Sequence, residues 1–387
     1  MMHSSATLQR LPSASFQAFA LPAFFTLFGL IMGSWAGRIP ALREGLGISH
    51  SALSMVLLCG GLGALLSHPV SSRLMSMFGA RKTALIAGQS LLAVLLGIGA
   101  APNVLALMFA VLLLGVMASC MNVAVQSIAT KLEKSTGRSE MSKLHAWGCA
   151  GGLLGAVLGS AMAGMQVKPF MHYLLLAMPV SLLLKLACDS LDSFDGDDKA
   201  EIVEAKVFCL PRGPLVWLGA LGFLGSMSEG SIADWSGVYL KDHFQVTDGF
   251  APLALTAFSV MMLAARLCGD RMKARFGARS LVGCGALLSA CGLFFAVFAP
   301  NSYCALAGFA AAGLGLSLLF PFVYSAAGKE GPLAFAGVAT MSYSGSLIGP
   351  PVVGTLAEFV GMQSAIGFIG SLSLVMALIA SRASLLK

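Results

Sequence analysis

Stretches of about 20 apolar residues recur along the whole chain, each long enough to cross a hydrocarbon core at roughly 1.5 Å per residue. Their approximate bounds are 16–37, 52–75, 83–100, 104–130, 144–166, 169–188, 214–239, 252–272, 280–299, 302–326, 333–357 and 361–381. A backbone in lipid must satisfy its own polar groups, so twelve such stretches point to an all-α polytopic membrane protein. Composition closes off the other classes. Of 387 residues, 24 are Lys or Arg and 17 are Asp or Glu; the charged share is 11%, against roughly 25% in a soluble domain. The hydrophobic share of 57% leaves too little polar surface for a soluble enzyme of this length. The 45 glycines follow no period and the nine cysteines sit mostly inside apolar runs, which excludes collagen-like and disulfide-stapled scaffolds. The first span is longer than the apolar core of a signal peptide, and we read it as retained.

Basic residues set the orientation. With both termini cytoplasmic, 19 Lys and Arg fall on the inner side, while the outer side receives Arg38, Arg43, Lys168 and Lys241. The one cation left unassigned to either side, Arg266, lies well inside span 8. That asymmetry predicts a multi-pass membrane protein with both termini cytoplasmic. It also accounts for the net charge of +7 without nucleic acid, because the cations are scattered over separate loops.

The chain also repeats itself. Phe78-Gly79-Ala80-Arg81 recurs as Phe276-Gly277-Ala278-Arg279, and Ala101-Pro102-Asn103 as Ala299-Pro300-Asn301, both displaced by 198 residues. The same register matches Leu42, Arg43 and Glu44 to Leu240, Lys241 and Asp242, Arg73 to Arg271, Gly115 to Gly313 and Gly151 to Gly349. We therefore expect two six-helix bundles in parallel orientation, residues 1–188 and 214–387, joined by a cytoplasmic linker, 189–213. The linker's run from Asp192 to Glu204 carries six carboxylates and reads as a solvated tether, with a regulatory contact as the alternative.

Twelve spans, parallel halves and a basic turn after spans 2 and 8 together resemble the major facilitator superfamily over the whole chain. In that family the turn usually carries an Asp and an Arg; here Ser76 and Met77 occupy those positions, while Gly79, Arg81 and Lys82 are kept. The second copy has Arg275, Gly277 and Arg279, with Asp270 one turn earlier. Ser34 to Pro40, Glu229 to Trp235 and Gly349-Pro350-Pro351 look like a bacterial branch represented by YbjJ and similar to fucose permeases. The resemblance implies alternating access by a single-chain carrier, expected to be monomeric and often proton-coupled, and it implies no particular substrate.

Charges at membrane depth are costly and mark candidate functional groups. Glu229 is the leading one: burial favours its neutral form, so it can take and release a proton during a transport cycle. From the assumed helix ends, Arg266 sits roughly 12 Å from Glu229 in depth and is expected to pair with Asp270 or to meet an anionic group. Arg38 and Asp234, at the outer ends of spans 1 and 7, are expected to form an ion pair that closes an external gate, the alternative being interfacial snorkelling. Asn122 and Gln126 share a helix face, and with Trp35, His145, Trp235, Tyr324 and Tyr343 they form the expected substrate cavity, suited to a sugar-like polar solute. Gly79, Arg81, Lys82, Arg266, Asp270, Gly277 and Arg279 form the expected cytoplasmic gate. Gly345, Gly349, Pro350, Pro351 and Gly354 mark either a hinge or close packing.

The sequence holds no nucleotide-binding loop, no hydrolase or zinc motif and no metal-ligand spacing among its cysteines, so we expect neither cofactor nor metal and no enzyme. The reading is a secondary transporter of a small polar organic solute, coupled to protons. A drug or metabolite exporter on the same fold and a non-transporting membrane sensor are the alternatives.

Overall fold

The computed structural model describes residues 14–136, 141–191 and 211–386. They form thirteen helices: α1 (Ala14–Ala36), α2 (Ile39–Leu46), α3 (His50–Gly99), α4 (Val104–Thr136), α5 (Met141–Gly164), α6 (Pro169–Asp189), α7 (Leu215–Phe244), α8 (Leu253–Phe276), α9 (Ala278–Val297), α10 (Ser302–Leu316), α11 (Leu319–Lys329), α12 (Pro332–Val360) and α13 (Met362–Arg382). Ten stretches among the described residues are long and apolar enough to cross a membrane. The apolar part of α8, Leu253–Gly269, and the 29-residue α12 bring the crossings to the twelve expected. The acidic run from Asp192 to Glu204 lies outside the described residues.

The second and third expected spans form one helical run, α3, bent at Gly79. Direction reverses there. Gly60 and Ser67 face Val111 and Ser119 of α4, so the first part of α3 runs parallel to α4. Gly88 faces Met121, and Gly99 lies just before the turn into α4, so the second part runs antiparallel. The reversal needs a backbone conformation with φ 75° and ψ 167° at Gly79, a region essentially reserved for glycine. Gly277, 198 residues later, repeats it between α8 and α9 with φ 75° and ψ 152°.

Other details keep the same register. The side chains of Asn103 and Asn301 each accept a hydrogen bond from the backbone N–H three residues on, at 2.9 and 3.0 Å. Gly115 lies against the carbonyl of Gly60 and Gly313 against that of Phe258, again 198 residues apart in both members. Arg81 donates to the carbonyl of Cys188 at the end of α6, and Arg279 to that of Ala380 at the end of α13. Lys82 is exposed.

Lipid provides no hydrophobic drive between helices, so close backbone packing at small residues has to hold them together. Gly29 and Gly33 of α1 meet Gly148 and Gly152 of α5, and Gly345 and Gly349 of α12 meet Phe223 and Met227 of α7. α12 stays helical through Pro350 and Pro351, so the glycines of that segment serve close packing in this conformation. Helices α1 to α6 pack chiefly among themselves, as do α7 to α13; α3 against α12 and α5 against α8 make the main contacts between the two sets.

Candidate functional site

Glu229 lies near the middle of α7. Ser226, Glu229, Gly230 and Ala233 follow the i, i+3, i+4, i+7 spacing of one helix face and line a cavity of about 460 Å³. His145 of α5, Arg266 of α8, Phe320 and Tyr324 of α11 and Ser346 of α12 complete the lining. One carboxylate oxygen of Glu229, Oε2, is buried and has no hydrogen-bond partner.

Arg266 is held from both sets of helices. Its Nε donates to the Ser317 carbonyl at 3.1 Å, and Nη1 lies 2.6 Å from Cys149 Sγ of α5. It forms no ion pair among the described residues but interacts electrostatically with Glu229. The side chain of Asp270, its expected partner, lies outside the described residues. The separation in depth expected between Arg266 and Glu229 is not found, because both belong to one helical hairpin. Fifteen residues, about 22 Å, separate Glu229 from Phe244 at the end of α7, and thirteen, about 20 Å, separate Leu253 at the start of α8 from Arg266. The sequence reading ended span 7 near residue 239; the real helix runs on to Phe244, which moves the turn outward and brings the two charges level.

Of the other residues expected in the cavity, His145 and Tyr324 line it. Gln126 instead donates to Asn122 Oδ1 at 2.8 Å, so this pair spends its polarity internally and neither residue is part of the lining. Trp235 is fully buried and donates to the Pro350 carbonyl at 3.0 Å, while Trp35 is buried in the core. Tyr343 is exposed on α12. None of these three is part of the lining.

A second charged cluster closes the end of the molecule where α2, α7 and α12 meet. Arg43 Nη1 donates to both carboxylate oxygens of Asp242, at 2.7 and 2.8 Å. Lys241 pairs with Glu44 and with Asp248. His50 Nε2 lies 2.6 Å from Asp242 Oδ2, and Glu358 accepts from the Ser51 N–H at 3.1 Å. Residues 43 and 44 are the repeat equivalents of 241 and 242, so the two ion pairs are reciprocal: each cation of one copy holds the acid of the other. A twofold arrangement of internal repeats gives a self-complementary contact of this kind.

The expected ion pair between Arg38 and Asp234 is absent. Arg38 is 2% exposed and donates to the carbonyls of Gly159 and Val167, tying the end of α1 to the α5–α6 turn. Asp234 forms no hydrogen bond or ion pair among the described residues. The charges that do meet were visible as one matched cation–acid dipeptide in each repeat. Reading them as partners required a symmetry axis through the contact, which only the packed helices supply. Phe320, Ser226 and Ser346 carried no signal in the sequence, since serine and phenylalanine are ordinary residues in a membrane helix.

Comparison with known proteins agrees with this architecture. Residues 14–239 and 218–385 match the family profile described as Major Facilitator Superfamily. An uncharacterised MFS-type transporter of Yersinia pestis is 31% identical over 375 residues, covering 95% of each chain. The membrane protein MosC of Rhizobium meliloti is 30% identical over 366 residues, covering 91% of this chain and 86% of its own. Among solved structures, a bacterial homolog of the human lysosomal transporter Spinster, in an inward-facing and occupied conformation, superposes with a TM-score of 0.75 at 12% identity, covering 97% of this chain and 98% of that one. The E. coli fucose:proton symporter FucP superposes with a TM-score of 0.63 at 15% identity, covering 97% of this chain and all of that one. At such identities these structures share the fold.

Proposed function

The chain belongs to the major facilitator superfamily, a family of carriers rather than enzymes, and from that premise we propose that it moves a small polar organic solute across the bacterial inner membrane with a proton. The observation that carries this reading is the Glu229 cavity: a carboxyl with a buried, unpartnered oxygen, beside an arginine, lined by helices from both halves. A carboxylate without a partner in a low-dielectric site is costly, and a proton or a bound solute removes the cost. Glu229 is the group that carries the proton. The three motifs named above support a place in the branch near the fucose permeases, and the asymmetry of basic residues supports cytoplasmic termini.

In alternating access the halves, residues 1–188 and 214–387, rock about the cavity, with 189–213 as their tether. The reciprocal ion pairs at Arg43, Glu44, Lys241 and Asp242 close the external end. The side chains of Arg43 and Asp242 are 21% and 26% exposed and that of Glu44 is 61% exposed, so each pair is worth about 1 kcal/mol or less. Two such pairs bias closure by at most about thirtyfold, which binding energy at the cavity can reverse. Gly79, Arg81, Gly277 and Arg279 brace the cytoplasmic end, with the exposed Lys82 beside them.

Reconstituted vesicles loaded with a pH indicator test the function. Solute uptake accompanied by internal acidification is expected, with the proton flux lost in Glu229→Gln. Uptake indifferent to a pH gradient in the wild-type protein would remove the coupling, and absence of transport across a broad solute panel would remove the carrier reading in favour of a membrane sensor.

A further inference from the structure

We propose that the transported solute is a small carboxylate, bound through its anionic group by Arg266, whose arrival drives one proton onto Glu229. This rests on the reading of the Glu229 cavity as the transport site. Arg266 is fixed by Ser317 and Cys149 through Nε and Nη1, which leaves Nη2 without a partner among the described residues. Its guanidinium lines the cavity and forms no ion pair among the described residues, so its charge is available to an anion. Glu229 is the single carboxylate in the lining among the described residues.

The charge count then couples the two events. With Glu229 ionised, the empty cavity holds one positive and one negative group and is neutral. An anion on Arg266 leaves a net negative charge in a poorly screened site, and a proton on Glu229 restores neutrality. The proton adds to the carboxylate oxygen and no other bond changes. By linkage the effect is reciprocal: a protonated Glu229 tightens anion binding by the factor with which the anion promotes protonation. A neutral polyol has no such effect.

The titratable groups around Glu229 leave this balance intact. Arg266 comes from α8, His145 and Cys149 from α5, and Tyr324 from α11. Tyr343 of α12 interacts with Tyr324, and Ser346 is the α12 contribution to the lining. Helices α2, α10 and α13 contribute no residue to the cavity lining among the described residues. Phe320, Tyr324, Ser226 and Ser346 offer the rest of the solute two aromatic walls and two hydroxyls.

Paired solutes that differ only in the acid group test the proposal on the full chain in vesicles: lactate against 1,2-propanediol, glycerate against glycerol and gluconate against sorbitol. The expected result is uptake of at least one acid, at ten times or more the rate of its alcohol, with one proton per anion and no net current. Arg266→Gln should cut that uptake at least tenfold, and Arg266→Lys should retain part of it. Thermal unfolding of the purified protein supplies a second readout: the acid should raise the midpoint more at pH 5.5 than at pH 7.5, and this pH difference should vanish in Glu229→Gln.

Uptake of the alcohols in preference to the acids overturns the proposal while leaving the carrier and its proton coupling in place. Acid uptake that carries negative current, or that is favoured by an alkaline exterior, overturns the proton step. Failure of every solute in a broad panel removes the carrier reading and this proposal with it. Loss of folding in Arg266→Gln is recognised by size-exclusion elution, and the wild-type pairs then decide the question.

Discussion

Arg43 and Lys241 stand 198 residues apart in the chain, and each is ion-paired to the carboxylate beside the other. Reversing one charge places like charges together, and reversing both partners restores the attraction. We expect Arg43→Asp and Asp242→Arg each to slow transport and lower the unfolding midpoint, and the double variant to recover most of both. The coupling from the double-mutant cycle should be about 0.2–1 kcal/mol and should shrink at high salt. A coupling indistinguishable from zero at low salt would mean that these charges do not hold the closed end.

Gly79 and Gly277 make the two reversals that let a long helical run pack back on its neighbours. Their backbone angles exclude a side chain at low cost, so Gly79→Ala and Gly277→Ala should each destabilise the fold by roughly 1–3 kcal/mol. Detergent-solubilised variants followed by thermal unfolding report this directly. Equal midpoints for both variants and the wild type would contradict the turn geometry.

A Cβ added at Gly115 would run into the backbone of Gly60, whereas one added at Gly97 meets nothing within 4 Å. Gly115→Ala should therefore cost about 1–3 kcal/mol through overpacking, and Gly97→Ala should be neutral or stabilise through better helix propensity. The contrast between the two is the measurement, because both replace glycine by alanine within membrane helices.

Arg81 is 8% exposed and bonded to the end of α6, while Lys82 beside it is exposed. Arg81→Ala should lower stability by roughly 1.5–3 kcal/mol, the range for a hydrogen bond to a charged group, and Lys82→Ala should stay within about 0.5 kcal/mol of wild type. Comparable losses in both would point to net charge at this end rather than to the bond.

The residues that sequence reasoning placed well and those it placed badly differ in kind. Gly79 and Gly277 were legible because a turn is local: a glycine in a repeated motif carries its own backbone requirement. Glu229 was legible because a charge in an apolar run is costly wherever the helix ends. Its distance from Arg266 was misjudged because that quantity depends on where α7 stops, and the helix continues to Phe244 through the charged run Lys241-Asp242-His243, past the break in hydropathy that ends the apolar span. Asn122 and Gln126 are legible as a polar pair on one helix face; that they bond to each other rather than to a solute is a matter of rotamers. Arg38 was given to Asp234 on depth alone, and the carbonyls of Gly159 and Val167 that it reaches were invisible, since any residue offers a carbonyl.

By itself the sequence determined the membrane class, the twelve crossings and the register of the internal repeat, because hydropathy, helix length and self-similarity are properties of the chain read in order. The tertiary structure alone decided which charges meet. Helix contacts depend on axial rotation and on the symmetry of the packed halves, and through them the matched dipeptides at Arg43 and Lys241 became a reciprocal pair, while Arg266 came to share a cavity with Glu229.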